Sequence, residues 1–360
     1  MECRGNNQKP LLIQGAAIAR SARRKSKYES GMQILTYLGK HAAQLVILAL
    51  LVSFAVFLLS SAIPGDFFST RPLDSTVRAE TIELLRHKHG LDQPVHIQFV
   101  RWLARMIKMD FGESLFYQRP VRTVVADAMG KTLWIGLPAL VLGFIGGIIL
   151  GSFHAAIGDH WASRLLDGLS AIALSLPSLL LGLASLLFAA HTGWFPLGGM
   201  TTSGMVDSNP WFSLWDRLRH LVLPVLCLTV PILASIERIQ YAAARTNYGT
   251  SFLKFARSRG LSGLRFFWNY ILRPGINPVL SVSGPMLGAV LSGSLVLEVI
   301  FAWPGLGQIT YDALFNKDIF LLAGCVVGSS VLLISGNLLA DLALIIFDPR
   351  TRSHIKGRIR

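Results

Sequence analysis

Six apolar stretches along the chain are each long enough to cross a lipid bilayer as an α-helix. A hydrocarbon core of about 30 Å requires roughly 20 helical residues. Internal Gly and Pro are tolerated in such helices because neighbouring helices satisfy the freed backbone groups. The apolar pattern therefore predicts an all-α protein with six transmembrane helices, over residues 42–63, 132–156, 165–190, 220–241, 278–301 and 319–347.

Glycine is concentrated in the second and fifth of these stretches, which predicts close packing between helix backbones. Small residues let neighbouring helices approach each other in lipid. The third stretch contains Pro177, and the fourth contains Pro224 and Pro231, all predicted to lie within spans. The glycines concerned are Gly143, Gly146, Gly147, Gly151, Gly284, Gly288 and Gly293.

The distribution of basic residues predicts the orientation of the spans. The 360 residues are 52% hydrophobic and 15% charged, with a formal net charge of +14. Lys and Arg accumulate before the first span, between the fourth and fifth, and after the sixth, as expected of cytoplasmic segments. Six spans place all three segments on one side, so both termini are predicted to be cytoplasmic. Because topology and anionic lipid explain the charge, no nucleic-acid partner is predicted.

The predicted spans divide the chain into five regions. The first span is too long for a signal peptide and lacks its cleavage site, although Met32 is an alternative start. The polar, basic residues before it are predicted to be disordered. The regions are a cytoplasmic tail at 1–31, a lead-in with the first span at 32–63, a helical external loop at 64–131, a core of spans two to six at 132–347 and a basic cytoplasmic tail at 348–360.

The long external loop contains a segment with helical spacing of apolar residues. It follows Pro94, a residue suited to the first turn of a helix. The predicted helix lies against the membrane surface or the external mouth of the bundle. Its apolar face comprises Val95, Phe99, Trp102, Leu103, Met106 and Ile107.

The loop between the fourth and fifth spans, at 243–277, reads as two short amphipathic helices. Thr250 or Ser251 can cap the first helix, Gly260 can end it, and Ser262 can cap the second. An ordered basic hairpin in the cytoplasm predicts a docking site for a partner. The segment 247–277 has no acidic residue, and its basic residues are Lys254, Arg257, Arg259, Arg265 and Arg273.

A series of motifs between residues 33 and 352 resembles a known family. In their order and spacing these motifs are similar to those of the inner-membrane permease subunits of bacterial ATP-binding-cassette (ABC) importers for peptides and nickel, of the first-permease type. The motifs are IPGD at 63–66, HGLDQPVHIQFVRWLARMIKMDFGESL at 89–115, RPV at 119–121, SLPSLLLGL at 175–183, GWFPLGGM at 193–200, RHLVLP at 219–224, FARSRGL at 255–261, LEVIFAWPGLG at 297–307, and Asn337 and Asp341 with DPR at 348–350.

The resemblance implies a fold, a location and a set of partners. The fold would be that of a type I ABC importer permease in the bacterial inner membrane, multi-pass, with both termini cytoplasmic. A second homologous permease subunit, two cytoplasmic ABC ATPase subunits and an external substrate-binding protein would complete the transporter. ATP and Mg would bind the ATPase subunits, and this chain would carry no cofactor, metal or catalytic site. No G-x-x-x-x-G-K-[ST] motif is present.

The resemblance also assigns the coupling motif to the basic loop. The helix predicted at 250–259 would sit in a groove of the ATPase, with apolar and charged contacts. Two departures affect individual contacts: TNYGTSF stands where the family has an acidic residue or Gln-Asp-Tyr, and Ser-Arg-Gly stands for Ala-Lys-Gly. The residues predicted to couple are Phe252, Leu253, Phe255, Ala256, Arg257, Arg259, Gly260 and Leu261.

Ionisable residues within the predicted spans are further candidates, since charge in lipid is costly. Glu237 and Arg238, near the inner end of the fourth span, are expected to be solvated at the interface. Asp341 is expected to pair with a neighbouring helix or a basic residue. Glu298 is interpreted as either a gate or loop anchor or a structural hydrogen-bonding group. The residues predicted for gating or structure are Glu298, Pro304, Gly305 and Asp341.

Another class of protein remains as the alternative interpretation, namely an ion-coupled secondary transporter. That class favours inverted repeats and carboxylates near the bilayer midplane, whereas the acids here lie toward the ends of spans. The cargo stays open among dipeptides, oligopeptides, antimicrobial peptides, nickel chelates and glycosides.

Overall fold

The computed structural model describes most of the chain between residues 46 and 347. Its continuous parts are 46–59, 92–158, 160–202, 210–248 and 258–347, with isolated positions at 39, 43, 44, 67, 83, 84, 86, 87, 90 and 255. The predicted tails at 1–31 and 348–360 lie outside these residues.

The described residues form a helical bundle with one small hairpin of two-residue strands. The helices are α1 (Val46–Leu59), α2 (Val95–Met106), α3 (Val121–Ile157), α4 (Trp161–Ser175), α5 (Ser178–Thr192), α6 (Pro210–Tyr248), α7 (Gly263–Phe266), a π-helix (Phe267–Leu272), α8 (Arg273–Ser281), α9 (Ser283–Ile300), α10 (Leu306–Phe315) and α11 (Ile319–Phe347). Strands β1 (Glu113–Ser114) and β2 (Arg119–Pro120) pair antiparallel.

Four of these helices, α3, α6, α9 and α11, are each long and apolar enough to cross a membrane. The helix α1 is shorter, because the described part of the first predicted span covers only Val46–Leu59. The third predicted span is different: α4 and α5 meet at an angle of 101°. The stretch predicted as the third span, over 165–190, is therefore a pair of helices with a sharp bend near its internal proline.

The bend in this pair has a local cause at Pro177. Leu176 has a ψ of 120°, in the extended region, which is the conformation that a following proline favours. Pro177 then precedes the first turn of α5. With 15 residues each, α4 and α5 extend roughly 22 Å apiece. Neither half alone covers a hydrocarbon core of about 30 Å.

The helices α3 and α6 run in the same direction and pack closely through glycines of α3, which belong to the glycine-rich second predicted span. A Cβ added at Gly147 would lie 2.7 Å from Cβ of Ile236, and at Gly143 it would lie 2.9 Å from Cβ of Ile232. Gly151 lies against the backbone of Glu237 in the same way. These positions repeat every fourth residue on both helices, so the backbones approach along a continuous seam.

Several helices begin or end beyond the predicted limits of the spans. The 37 residues of α3 start at Val121, inside the segment predicted as external loop, and the 39 residues of α6 start at Pro210. The fifth span divides at Val282 into α8 and α9. The predicted loop at 302–318 contains the helix α10. Hydropathy marks the thickness of the lipid core, whereas these helices continue past it.

The two ends of the bundle have distinct cores, named here the tryptophan end and the loop end. At the tryptophan end, buried Trp102 of α2 packs with Phe57 of α1 and with Val121, Leu306 and Leu321. At the loop end, a smaller cluster joins Ala155, Ala244, Phe266 and Ile271. A third core lies between them, among α3, α5, α6 and α9.

Candidate coupling site

The end of the predicted coupling helix is described from Ser258 onward, together with Phe255. The amide of Arg259 donates to the carbonyl of Phe255 at 3.2 Å, a helical hydrogen bond. Gly260 follows with a φ of +77°, the left-handed conformation that glycine adopts where a helix ends. Four predicted coupling residues, Phe252, Leu253, Ala256 and Arg257, lie outside the described residues.

The second helix of the hairpin begins where the sequence predicts, but its start is not capped as expected. Ser262 occupies the position before α7 and makes no side-chain capping hydrogen bond. Leu261 is half-buried against the cluster of Ala155, Ala244 and Phe266. The hairpin is therefore held to the bundle by apolar packing at its second helix.

Three apolar side chains of this hairpin face outward. Phe255 is 61% exposed, Leu264 84% and Trp268 59%. The guanidinium of Arg259 lies 5.8 Å from the centroid of the Phe255 ring. Leu264 and Trp268 stand four residues apart across α7 and the π-helix, and so share one face. In the sequence, Leu264 is marked only by its place in the mainly apolar segment LRFFW at 264–268.

Beneath the hairpin, Gln240 of α6 connects three elements. Its Nε2 donates to the hydroxyl of Ser152 on α3 at 2.8 Å and to the carbonyl of Leu272 in the π-helix at 3.0 Å. Gly275 of α8 lies so close that an added Cβ would be 2.5 Å from this nitrogen. Nothing in the sequence pattern marked Gln240, because its partners lie 88 and 32 positions away.

A buried polar cluster next to this contact corrects the expectation for Glu237. Instead of being solvated, Glu237 is 1% exposed. Its Oε1 lies 2.6 Å from Nδ1 of buried His154, and its Oε2 accepts a hydrogen bond from the hydroxyl of Ser170 at 2.8 Å. Nε2 of His154 lies 2.8 Å from the hydroxyl of Ser163. Arg238, by contrast, is exposed and donates to the carbonyl of Asp167 at 3.4 Å.

The geometry of this cluster explains how Glu237 is removed from solvent. Ser163 and Ser170 are seven positions apart on α4 and reach α3 and α6 respectively. The helix α4 therefore lies across the loop-end parts of α3 and α6 and covers them. The ring of Tyr241 stacks on His154 with centroids 3.9 Å apart. Every one of these polar side chains has a partner, as buried groups in lipid require.

Three of the four gating candidates, Glu298, Pro304 and Gly305, lie close together at the tryptophan end. Oε2 of buried Glu298 accepts a hydrogen bond of 2.6 Å from the amide of Gly307, in the first turn of α10. An added Cβ at Gly305 would collide with this carboxylate. The indole of Trp303 donates to the carbonyl of Lys131 at 2.9 Å, and the amide of Leu306 donates to the hydroxyl of Thr132 at 2.8 Å. Pro304 lies within this turn.

A buried hydrogen bond thus links Glu298 of α9 to the first turn of α10. Asp341 lies apart from it on α11, partly buried and one helical turn after Asn337. The four gating candidates are therefore not brought together.

A cavity of about 340 Å³ opens between α9, α10 and α11. Hydroxyl groups of Ser292, Ser329, Ser330 and Thr310 contribute to its wall. A second cavity of about 520 Å³ lies between α3, α8, α9 and α11 and is almost entirely apolar. None of the described residues that line either cavity has a charged side chain.

Comparison with protein-family models identifies the chain. A model described as "Binding-protein-dependent transport system inner membrane component" matches residues 133–353, and the model of the corresponding N-terminal segment matches residues 34–133. The chain belongs to this family. The two matches together cover the bundle and both of its ends.

Named relatives of this permease cover nearly the whole chain. The oligopeptide transport system permease protein AppB of Bacillus subtilis (strain 168) is 30% identical over 296 residues, which are 82% of this chain and 92% of that protein. A putative peptide transport system permease protein of Brucella abortus (strain 2308) is 31% identical over 314 residues, 87% and 98% of the two chains. The glutathione transport system permease protein GsiC of Salmonella typhimurium (strain LT2) is 28% identical over 321 residues, 89% and 99%.

Membership makes this permease an integral protein of the inner membrane and a transport subunit of an ABC system. The match supports that interpretation over the ion-coupled secondary transporter. The resemblance drawn from the motifs is confirmed.

Proposed function

We propose that this permease forms half of the translocation path of an ABC importer for peptides or similar small solutes. Separate ATPase subunits, which bind ATP and Mg, drive it by docking on the segment 247–277. The observation that carries this proposal is the exposure of Phe255, Leu264 and Trp268 on a basic hairpin. Exposed aromatic and aliphatic side chains beside arginines are the usual anchors of a protein interface.

The basic hairpin meets two requirements of a docking element. Its outward side offers apolar anchors for a groove, and its inward side packs on Ala155 of α3 and Ala244 of α6. A force applied to the anchors is therefore carried into two long helices. The positive-inside rule explains the arginines of the hairpin but not its exposed Leu264 and Trp268.

The other partners follow from the same architecture. A second homologous permease would complete the path along the faces of α9 and α11 that border the two cavities. Their uncharged walls suit small solutes without a strong requirement for one charge. An external binding protein would deliver the solute at the tryptophan end. The cargo class is proposed from relatives named for oligopeptide, peptide and glutathione transport.

The test uses the complete transporter with its ATPase and binding proteins. Phe255→Asp places a charge on the docking face, whereas Phe255→Leu preserves an apolar anchor and serves as the matched control. Loss of a central anchor weakens an interface by about 2 kcal/mol or more, roughly thirtyfold in affinity. We expect Phe255→Asp to lose copurifying ATPase and import, and Phe255→Leu to retain both.

The outcome is read as ATP hydrolysis stimulated by the solute-loaded binding protein, together with uptake of a labelled peptide. Trp268→Asp is expected to behave like Phe255→Asp. If both aspartate variants retain copurification and stimulated hydrolysis, the hairpin is not the docking element and the proposal is wrong.

A further inference from the structure

We infer that Gln240 is a positioning residue that transmits movement of the coupling hairpin to the membrane-crossing helices α3 and α6. This inference rests on the proposed function of the segment 247–277 and deepens it. Gln240 lies one layer inside the bundle and does not contribute to the exposed docking face. Its role would be to set the angle between the hairpin and the spans.

The first support is the pattern of hydrogen bonds made by one carboxamide. Gln240 is 0% exposed, and its Nε2 joins Ser152 of α3 to the carbonyl of Leu272. The carbonyl of Leu272 can only accept a hydrogen bond, so the nitrogen of the amide must face it. The orientation of the side chain is therefore fixed by the backbone of the hairpin.

The second support is the backbone to which Gln240 binds. Leu272 ends a π-helix of six residues, Phe267–Leu272. Such segments are rare and occur often at functional positions within helices. Position 274 is a proline without an amide hydrogen, which interrupts a regular α-helical ladder here. The connection between α7 and α8 is consequently a point where the helix geometry changes.

The third support is that the hydrogen-bonding capacity of the Gln240 carboxamide is only partly used. Oε1 of Gln240 is buried and has no hydrogen-bond partner among the described residues. An unpaired buried acceptor carries a free-energy cost, which a rearrangement that supplies a donor removes. The neighbouring His154–Glu237 pair differs, because both of its side chains are fully engaged. The pair clamps α4 in place, whereas Gln240 retains an alternative hydrogen bond to make.

The fourth support is steric. Gly275 leaves no room for a side chain, since an added Cβ would lie 2.5 Å from Nε2 and 2.7 Å from Oε1 of Gln240. The other contacts of the hairpin here are apolar, involving Phe266 and Ile271. Apolar contacts resist separation but allow sliding, whereas the bonds of Gln240 are directional. The amide and the glycine facing it therefore define how α8 turns relative to α6.

The experiment perturbs this contact from both sides in the complete transporter. Gln240→Glu keeps the shape and removes the donor that faces the carbonyl of Leu272. Gln240→Leu removes both polar atoms, and Gly275→Ala displaces the carboxamide. Gly168→Ala on α4 is the control, because an added Cβ there meets no atom within 4 Å.

The readout is the number of ATP molecules hydrolysed for each solute imported, measured on variants that copurify with their ATPase subunits. Loss of one buried hydrogen bond costs about 1.4 kcal/mol, which corresponds to a tenfold change in an equilibrium constant. We expect this ratio to rise about tenfold in the Gln240 and Gly275 variants and to stay unchanged in the control. A purely structural defect would lower hydrolysis and import together and leave the ratio constant.

Two results would overturn the inference. One is a wild-type ratio in the assembled variants, and the other is failure of all three to assemble, which would make the contact structural only. Phe255→Asp, measured in parallel, separates the two proposals. If it leaves copurification and stimulated hydrolysis intact, the docking proposal fails; if it abolishes them while the ratio of Gln240→Glu is normal, only the inference about Gln240 fails.

Discussion

The hydroxyl of Ser114 donates a hydrogen bond of 2.7 Å to the carboxylate of Asp318, across 204 positions of sequence. The same Oδ2 accepts from the amide of Phe116, and Oδ1 accepts from the amide of Leu321. Asp318 therefore caps α11 while it holds the turn between β1 and β2. One buried side chain ties the segment before α3 to the last helix of the bundle.

Replacing Asp318 is expected to destabilise the tryptophan end strongly. Asp318→Ala removes the cap and leaves the amides of Phe116 and Leu321 without this acceptor, at a cost of about 3 kcal/mol. Ser114→Ala removes the donor to Asp318 and the acceptor of the Tyr117 amide but leaves the cap of α11 intact, and it should cost only about 1–2 kcal/mol. Thermal unfolding of the purified transporter in detergent measures both. Equal effects of the two variants would contradict the dual role of Asp318.

The glycine seam between α3 and α6 gives a prediction with a control on the same helix. Gly147→Ala would place its Cβ 2.7 Å from Cβ of Ile236, so the helices must separate, at a cost of about 2 kcal/mol. Gly130→Ala meets no atom within 4 Å and should be neutral or slightly stabilising, since alanine favours helix. The midpoint temperature of thermal unfolding should be much lower for Gly147→Ala than for Gly130→Ala. Similar midpoints for the two variants would argue against close packing of α3 on α6.

Glu298 is expected to matter mainly as a hydrogen-bond acceptor. Glu298→Ala leaves the buried amide of Gly307 without its partner and should destabilise the protein by about 2–3 kcal/mol. Glu298→Gln still offers an oxygen to that amide and should retain most of the stability and the uptake activity. A stable Glu298→Gln transporter that fails to import would instead favour a gate.

Tyr117 gives a prediction about alkaline pH. Burial raises the pKa of its phenol, and the hydrogen bond to Asp312 raises the pKa further. In the unfolded chain the phenol loses its proton near pH 10, while the folded protein keeps it. The unfolded state then binds fewer protons, so stability falls as pH rises above about 10.

This loss should be smaller in Tyr117→Phe, which has no proton to release at that position. The measurement compares the unfolding midpoints of wild type and variant at pH 8 and pH 11, with Asp312→Asn as a second variant that removes the negative partner. A wild-type protein whose midpoint falls no faster than that of Tyr117→Phe would contradict the expected raised pKa.

The sequence predicts elements well where a single local property decides them. Length and hydropathy are sufficient for α3, α6 and α11, and the spacing after Pro94 is sufficient for α2. The helix ends are less accurate, because amphipathic turns continue beyond the lipid core at Val121 and Pro210. Pro177 shows a further limit: tolerance of proline within a span and a bend of 101° have the same sequence signature.

The candidate site residues also divide into those that a local sequence pattern locates and those that depend on distant contacts. Exposed Phe255 and the left-handed Gly260 lie in a segment that motif and capping patterns locate. The burial of Glu237 is not visible in its local sequence, because it depends on α4, whose Ser170 lies 67 positions away along the chain. Gln240 depends on partners from two other elements and is not identifiable from its own surroundings in the sequence. The burial and the role of such residues depend on hydrogen bonds to partners far away in the sequence.

The cluster of His154, Ser163, Ser170 and Glu237 also constrains how the protein is made. The first three residues are synthesised before Glu237, and a polar side chain without a partner is costly in lipid. Until α6 emerges, His154 and Ser170 lack the acceptor that the finished protein provides. The polar cluster is therefore complete only once α6 has joined α3 and α4.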